Sequence, residues 1–110
     1  MAVFKEKDGV YEILEENCSA RMIKGHEGSL MMVEVLFENY YESAAHTHVH
    51  EQMTYCLEGE FEFYVDGKTE VITVGDTIYF PSGIEHHCKA LTEKARLLDV
   101  FTPIREDFLK

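Results

Sequence analysis

The sequence has few basic residues, and this shortage excludes one class of partner. Ten lysines and arginines stand against 21 aspartates and glutamates, so the formal net charge is −11. Such a chain repels phosphate backbones, and no basic stripe interrupts the acidic composition, so we expect no nucleic-acid partner. The same charge cannot attract an anionic ligand from a distance. An anionic substrate would therefore need a metal ion and one or two local arginines.

Cysteine is also scarce. The three cysteines, Cys18, Cys56 and Cys88, are an odd number and show no Cys-x-x-Cys spacing. This pattern argues against a disulfide framework and against a zinc finger. It is typical of reduced thiols in a reducing compartment.

Long apolar runs are missing as well. No stretch approaches the roughly 20 apolar residues that cross a bilayer. The charged N-terminus, Met1–Asp8, is unlike a signal peptide. We therefore expect a cytoplasmic protein without a membrane partner. The chain has 110 residues, of which 45% are hydrophobic, and we expect it to form one domain, residues 1–110, around one core.

Short apolar runs followed by turn residues recur along the whole chain. Their spacing of about 8–12 residues is typical of all-β domains, and no window shows a convincing helical period. The predicted strands are Tyr11–Leu14, Ala20–Ile23, Leu30–Phe37, Gln52–Leu57, Phe61–Val65, Thr69–Val74, Thr77–Phe80, His86–Leu91 and Ala95–Phe101. Because so many strands must protect their edges, we predict a small antiparallel β-barrel or sandwich.

Three segments predict how the strands are connected. Asp66-Gly67 predicts a hairpin with a type I′ turn, which needs positive φ at both residues. Gly25 and Gly28 predict a break after the second strand. Ile104–Lys110 predicts one closing helical turn.

His46, His48, Gln52 and His86 predict a metal site. Residues two apart in a strand face the same side, so His46 and His48 can face one ion and Gln52 returns to that side. His86 lies 38 residues after His48, just beyond a Pro-Ser-Gly turn. Three imidazoles and one amide oxygen suit a divalent transition metal: Fe, Mn, Ni, Co or Zn. The alternative is that the histidines are surface residues at a strand end.

Four neighbouring residues are secondary candidates for the site. His50 is an even number of residues away from the predicted ligands, so in a strand it would face the same side. We nevertheless expect it on a turn and outside the set of metal ligands. His87 should point away from His86 and pack or support the site. Cys56 and Cys88 are an even number of residues away from Gln52 and His86 respectively, so they should face the same side as these ligands. They either line the pocket or are buried, inert thiols; we favour the buried thiols.

Asp99 and Phe101 share one face of the last predicted strand. A carboxylate on an inward, apolar face is poorly solvated, and burial would raise its pKa towards the range that a general acid or base needs. Arg105, just beyond that strand, can fold over the pocket mouth and bind a carboxylate. The alternative has Asp99 solvated, Arg105 paired with Glu106 or Asp107, and Phe101 in the core.

The metal segment resembles the first sequence motif of the cupins, a family of small β-barrels. That motif has His-x-His, three or four residues, Glu, six residues and Gly. The chain has His46-x-His48, three residues, Gln52, six residues and Gly59. The resemblance implies a jelly-roll-like barrel that binds one metal ion.

A second segment resembles the other cupin motif: Gly, five residues, Pro-x-Gly, two residues, His, three residues and Asn. The chain has Gly75, five residues, Pro81-x-Gly83, two residues and His86. The gap of 15 residues between the two motifs matches the compact microbial form. The two motifs together make the resemblance specific.

The chain departs from the cupin motifs at three positions. Tyr40 stands where the first motif has Gly, and Ala90 stands where the second has Asn. Gln52 replaces the usual Glu. Because an amide is neutral, this set of ligands does not reduce the positive charge of the ion, whereas a Glu would. That favours Lewis-acid chemistry over the stabilisation of higher oxidation states.

The C-terminal segment resembles the KdgF-type cupins of pectin and alginate breakdown. Their closing strand carries Asp-x-Phe-x-x-x-Arg, here Asp99-Val-Phe101-Thr-Pro-Ile-Arg105. The resemblance implies an enzyme that converts 4,5-unsaturated monouronates into linear, ketonised sugars by Lewis-acid and proton-transfer catalysis. By analogy, the metal holds sugar oxygens, Arg105 binds the carboxylate, Phe101 positions the ring and Asp99 moves the proton.

Other functions remain open. The chain is also consistent with a non-catalytic sugar-binding or sensor cupin, a small Fe(II)-dependent dioxygenase, or a structural barrel without metal. Gln52 counts against the dioxygenase. The sensor would need a DNA-binding helical domain, for which we expect no residues to be available. Similar cupins often pair as homodimers, and Met53, Tyr55 and Leu57 are outer-face residues that can contact a second copy.

Overall fold

The protein consists of two antiparallel β-sheets that face each other across a core. A computed structural model describes residues 1–110. Its elements are η1 (Glu6–Asp8), β1 (Glu12–Glu15), β2 (Ser19–Glu27), β3 (Leu30–Glu38), β4 (Glu51–Glu58), β5 (Glu60–Val65), β6 (Lys68–Thr73), β7 (Thr77–Phe80), β8 (His86–Ala90), β9 (Lys94–Thr102) and η2 (Glu106–Leu109). The predicted all-β fold, its nine strands and the closing turn are confirmed. No helix has the length and apolarity of a membrane span.

The larger sheet has six strands in the order β1-β2-β3-β9-β4-β7, and the smaller has three in the order β6-β5-β8. Alternate residues of β4 and β9 point inwards, as the burial pattern of β4 shows. The core between the sheets contains ten buried residues from both, with Phe61 and Phe80 fully buried. Because β4 and β9 are neighbours, the inward residues of both reach one pocket.

The turn predictions are confirmed at Asp66-Gly67 and at Gly28, which lies between β2 and β3 with φ of 58°, and wrong at Gly25. Asp66 and Gly67 have φ of 49° and 78°, as a type I′ hairpin requires. Gly25 does not end the second strand, because β2 continues to Glu27. The register shifts between Ile23 and Gly25, so Lys24 has no partner on β3, while Gly25 pairs with Met32 and the ladder continues.

The outer face of the larger sheet is only partly covered. Glu34 points to this face and is 3% exposed. Lys24 connects it to the N-terminal segment, with Nζ 3.4 Å from Glu34 and 2.8 Å from the Glu6 carboxylate. Met53 and Tyr55 on the same sheet remain 45% and 39% exposed. Their expected contact with a second copy of the chain stays a prediction.

The turn after β3 leads to a stability prediction. Tyr40 has φ of 56° in the left-handed region, and its side chain is exposed. A residue with a Cβ is strained there, whereas glycine is not. We expect Tyr40→Gly to raise the free energy of unfolding by about 1 kcal/mol in urea denaturation. Tyr40→Ala keeps the Cβ and is the matched control; equal stability of the two variants would contradict the prediction.

Candidate metal centre

Paired backbone hydrogen bonds place His46 beside His86. The His46 N–H donates to the His86 carbonyl oxygen at 3.1 Å, and the His86 N–H donates back at 3.0 Å. The two ring centres are 4.4 Å apart. The Gly83 N–H donates to the His48 carbonyl oxygen at 2.8 Å, which ties the turn before β8 to the His48 segment. These contacts bring His86 alongside the other two histidines.

The predicted reason for their alignment is wrong. His46 forms only an isolated bridge, and regular strand β4 begins at Glu51. Alternation along one strand therefore does not align His46, His48 and Gln52. Contacts with β8 and with the turn before it position the histidines instead.

Each imidazole is oriented by a hydrogen bond from its Nδ1 to a backbone carbonyl oxygen. Because a carbonyl only accepts, Nδ1 carries the proton and Nε2 keeps its lone pair. The acceptors are Ala44, His50 and Ile84, at 2.9, 2.9 and 3.0 Å from Nδ1 of His46, His48 and His86. All three rings are thus held in the tautomer that binds a metal through Nε2.

The free nitrogen atoms converge on one point. The candidate ligand atoms of His46, His48 and His86 lie within 4.8 Å of one another. His86 Nε2 is buried without a hydrogen-bond partner, which is costly unless another group fills the space. Gln52 Oε1 lies 2.9 Å from His48 Nε2, so two lone pairs face each other. A divalent cation between these atoms would satisfy them all, and the donor set therefore fits a metal ion.

Burial favours the neutral form of His86 and His48. It lowers the pKa of His86 to about 4 and also lowers the pKa of His48. Metal ligands must be unprotonated, so both rings are ready to bind a cation at neutral pH. The alternative of surface histidines is wrong for His86, which is 3% exposed.

The secondary candidates lie around the cluster. His50 is absent from the converging set and supplies its carbonyl oxygen to His48. His87 stacks on Tyr64 with ring centres 4.4 Å apart, as expected of a packing residue. Cys56 and Cys88 are buried, and burial raises the pKa of both thiols, that of Cys88 to about 12. Both are therefore inert thiols, although Cys88 also borders the cavity.

A cavity of about 300 Å³ opens beside the imidazoles. This volume suits a small molecule. Its polar lining includes members of both predicted groups and consists of Ser19, Arg21, Ser43, His46, Gln52, His86, His87, Asp99 and Arg105. The structure thus brings the histidine cluster and the Asp99–Arg105 segment to one site.

Asp99 faces this cavity from β9. It lies opposite Thr54 in the β4–β9 ladder, and the Thr54 hydroxyl donates to Asp99 Oδ1 at 2.7 Å. Leu97 and Phe101, two residues away on either side, are each 3% exposed. Burial raises the pKa of Asp99 to about 6, against the opposing effects of its hydrogen bonds and the charge of Arg105. The prediction of a poorly solvated carboxylate is confirmed.

Arg105 lines the cavity and is paired at the same time. Its Nε and Nη2 donate to the Asp107 carboxylate at 3.1 and 2.9 Å, which confirms the alternative pairing. Its guanidinium carbon lies 4.2 Å from the centre of the Phe108 ring. A guanidinium has five N–H groups, so three remain for a ligand carboxylate.

Sequence reasoning missed Arg21 and Thr54. The Arg21 guanidinium carbon lies 3.7 Å from the centre of the Phe108 ring, and the side chain lines the cavity from β2. No spacing in the sequence singles out this arginine. Thr54 had a usable signal, because it follows Gln52 by two residues and so shares its face of the strand.

Comparison with known proteins identifies the fold family. Residues 32–101 match the cupin domain, which covers more than half of the chain. The chain belongs to the cupin family. This cupin is 30% identical over 107 residues to the pectin degradation protein KdgF of Dickeya dadantii (strain 3937), with 96% of each chain covered.

Two solved structures are also similar to this cupin. KdgF from Halomonas sp. is 28% identical with a TM-score of 0.89, over 97% of this chain and 99% of that protein. An RmlC-like cupin from Shewanella frigidimarina NCIMB 400 is 32% identical with a TM-score of 0.90, over 98% of this chain and 96% of that protein. The resemblance to KdgF-type cupins is therefore confirmed along nearly the whole chain.

The raised pKa of Asp99 predicts a pH-dependent stability difference in the metal-free protein. Asp99 titrates at about 6 when folded and at about 3.8 when unfolded, so its ionisation destabilises the fold as pH rises through that window. We expect Asp99→Asn to be more stable than wild type above pH about 6 and nearly equal below pH about 4. Thermal unfolding at both pH values, after treatment with a chelator, measures this.

Asp107→Asn is the matched control with the opposite sign. The hydrogen bonds from Arg105 lower the pKa of Asp107, so this carboxylate stabilises the fold at neutral pH and loses that effect in acid. Its replacement should lower stability at pH 7. A gain for Asp99→Asn that is the same at both pH values would contradict the assigned pKa.

Proposed function

We propose that this cupin binds one divalent transition metal through Nε2 of His46, His48 and His86 and Oε1 of Gln52. The observation that carries the proposal is the buried, partnerless Nε2 of His86 among the converging nitrogen atoms. Fe, Mn, Ni, Co and Zn all suit such a shell. When bound, the ion supplies Lewis-acid polarisation of ligand oxygen atoms.

We further propose that the substrate is a small sugar acid, a 4,5-unsaturated monouronate from pectin or alginate. The 30% identity with a pectin degradation protein over 96% of the chain supports this substrate class. The cavity adds a physical reason, because Arg21 and Arg105 both line it in a protein of net charge −11. Two local guanidinium groups there favour an anion that the acidic surface repels.

Asp99 is the group proposed to move the proton. Opening of the sugar ring releases an enol at C5, and protonation of C4 converts that enol into a ketone. Both steps are proton transfers without any redox change. With a pKa raised to about 6, Asp99 has both protonation states accessible near neutral pH, as an efficient acid–base group requires.

Arg105 and Phe101 are proposed to hold the substrate in place. The three N–H groups of Arg105 that Asp107 does not use can bind the uronate carboxylate. Phe101 is buried beside Arg105, with the guanidinium carbon 5.1 Å from its ring centre, and its ring centre lies 5.8 Å from that of His48. It therefore forms an apolar wall between the carboxylate site and the metal site.

Replacement of Asp99 tests the proton-transfer role. We expect Asp99→Asn to lower kcat by about 10²–10⁴-fold, the usual contribution of a general acid or base. The assay follows the loss of the unsaturated uronate's absorbance. Metal content should be unchanged, because Asp99 is not a ligand. The control is Glu70→Gln, which replaces an exposed carboxylate on β6 and should keep full activity. Full activity of Asp99→Asn would contradict the proposed role.

Replacement of Arg105 tests substrate binding. Arg105→Ala should raise KM by more than tenfold, because the carboxylate loses a charge-assisted, bidentate partner. Arg105→Lys keeps the charge without the planar fork and should fall between wild type and Arg105→Ala. Steady-state kinetics with bound metal quantified separately provides the measurement. A KM that is the same in all three proteins would remove Arg105 from the carboxylate site.

A further inference from the structure

Two hydrogen bonds connect the proposed ligand Gln52 to Asp99 through Thr54. Gln52 Nε2 donates to Thr54 Oγ1 at 2.8 Å, and Thr54 Oγ1 donates to Asp99 Oδ1 at 2.7 Å. Thr54 is fully buried, with 0% of its surface exposed. It lies directly opposite Asp99 in the β4–β9 ladder, so the backbone register holds the two side chains together.

The direction of these bonds decides which end of the Gln52 amide faces the imidazoles. A threonine hydroxyl has one proton to donate. Because it donates that proton to the Asp99 carboxylate, it can only accept from Gln52, and the amide must present its NH2 group to Thr54.

The opposite amide orientation would harm metal binding. With the amide turned over, its NH2 group would face the Nε2 atoms of the histidines, and an amide N–H is not a metal ligand. The amide oxygen now faces His48 Nε2 at 2.9 Å. The hydrogen bond to Thr54 is the contact that separates the two orientations, since an amide has nearly the same shape either way.

We propose that Thr54 is a positioning residue whose hydroxyl holds the Gln52 amide with its oxygen towards the metal site. The inference rests on the proposed function only in taking Gln52 as a ligand; it does not depend on the substrate. The residue acts through Gln52 and touches neither metal nor substrate. Its hydroxyl, and not its methyl group, carries the effect.

Isosteric variants separate the hydroxyl from the methyl group. Thr54→Val keeps the shape and removes the hydroxyl, whereas Thr54→Ser keeps the hydroxyl. We expect Thr54→Val to weaken Ni²⁺ and Zn²⁺ binding by about 10- to 100-fold, as found for residues that orient ligands. Thr54→Ser should stay within a few-fold of wild type. Competition with a chromophoric chelator measures the metal affinities, and thermal unfolding shows whether the variants fold. If Thr54→Val does not fold, Thr54→Ala takes its place.

A Gln52→Glu background gives the decisive control. A carboxylate presents an oxygen atom to the metal in either orientation, so no amide remains to be oriented. Thr54→Val should therefore weaken metal binding in the wild-type background and leave it nearly unchanged with Glu at position 52. An equal loss in both backgrounds, or no loss in wild type, would overturn the role of Thr54.

The same measurements keep this inference apart from the proposed function. If the wild-type protein binds neither Ni²⁺ nor Zn²⁺, both the metal centre and the role of Thr54 are wrong. If it binds metal, shows the Thr54 dependence and turns over no unsaturated uronate, only the proposed reaction is wrong.

Discussion

The backbone pair between His46 and His86 is the contact on which the site depends. It connects the segment that enters the larger sheet with the edge of the smaller sheet, across 40 positions of sequence. The paired N–H and carbonyl groups fix how far apart the two imidazoles can lie. The three carbonyl oxygens that orient the rings belong to the same two segments, and each lies two residues from its histidine. The local chain therefore fixes the tautomers, and the backbone pair fixes the distance between the two segments.

Asp99 shows how the fold tolerates a group that opposes its stability. A carboxylate among buried apolar residues is costly, and here its backbone register with Thr54 places a donor directly opposite it. The hydrogen bond offsets part of the desolvation and leaves a carboxylate that holds its proton more tightly than usual. The raised pKa on which the proposed proton-transfer role of Asp99 depends thus has the same cause, burial, that makes Asp99 unfavourable for folding.

The electrostatics of the protein differ between the surface and the cavity. The chain as a whole is strongly acidic, yet Arg21 and Arg105 both contact the ring of Phe108 at the edge of the cavity. The aromatic face stabilises both cations and keeps them close to the proposed ligand site. Asp107 partly neutralises Arg105, so binding of the proposed anionic substrate would depend on these local groups and not on long-range attraction.

The sequence by itself determined the strands, the hairpin at Asp66-Gly67 and the set of histidines, because these depend on local φ preferences, on alternation and on short spacings. It also indicated the buried face of Asp99. Only the tertiary structure decided that β2 continues through Gly25 after an unpaired Lys24, since a strand continues or ends according to its neighbour. The same holds for the free Nε2 atoms, the Thr54 hydrogen bonds and Arg21. Each of these depends on a partner many residues away, and no local pattern records the distance or the burial of such a partner.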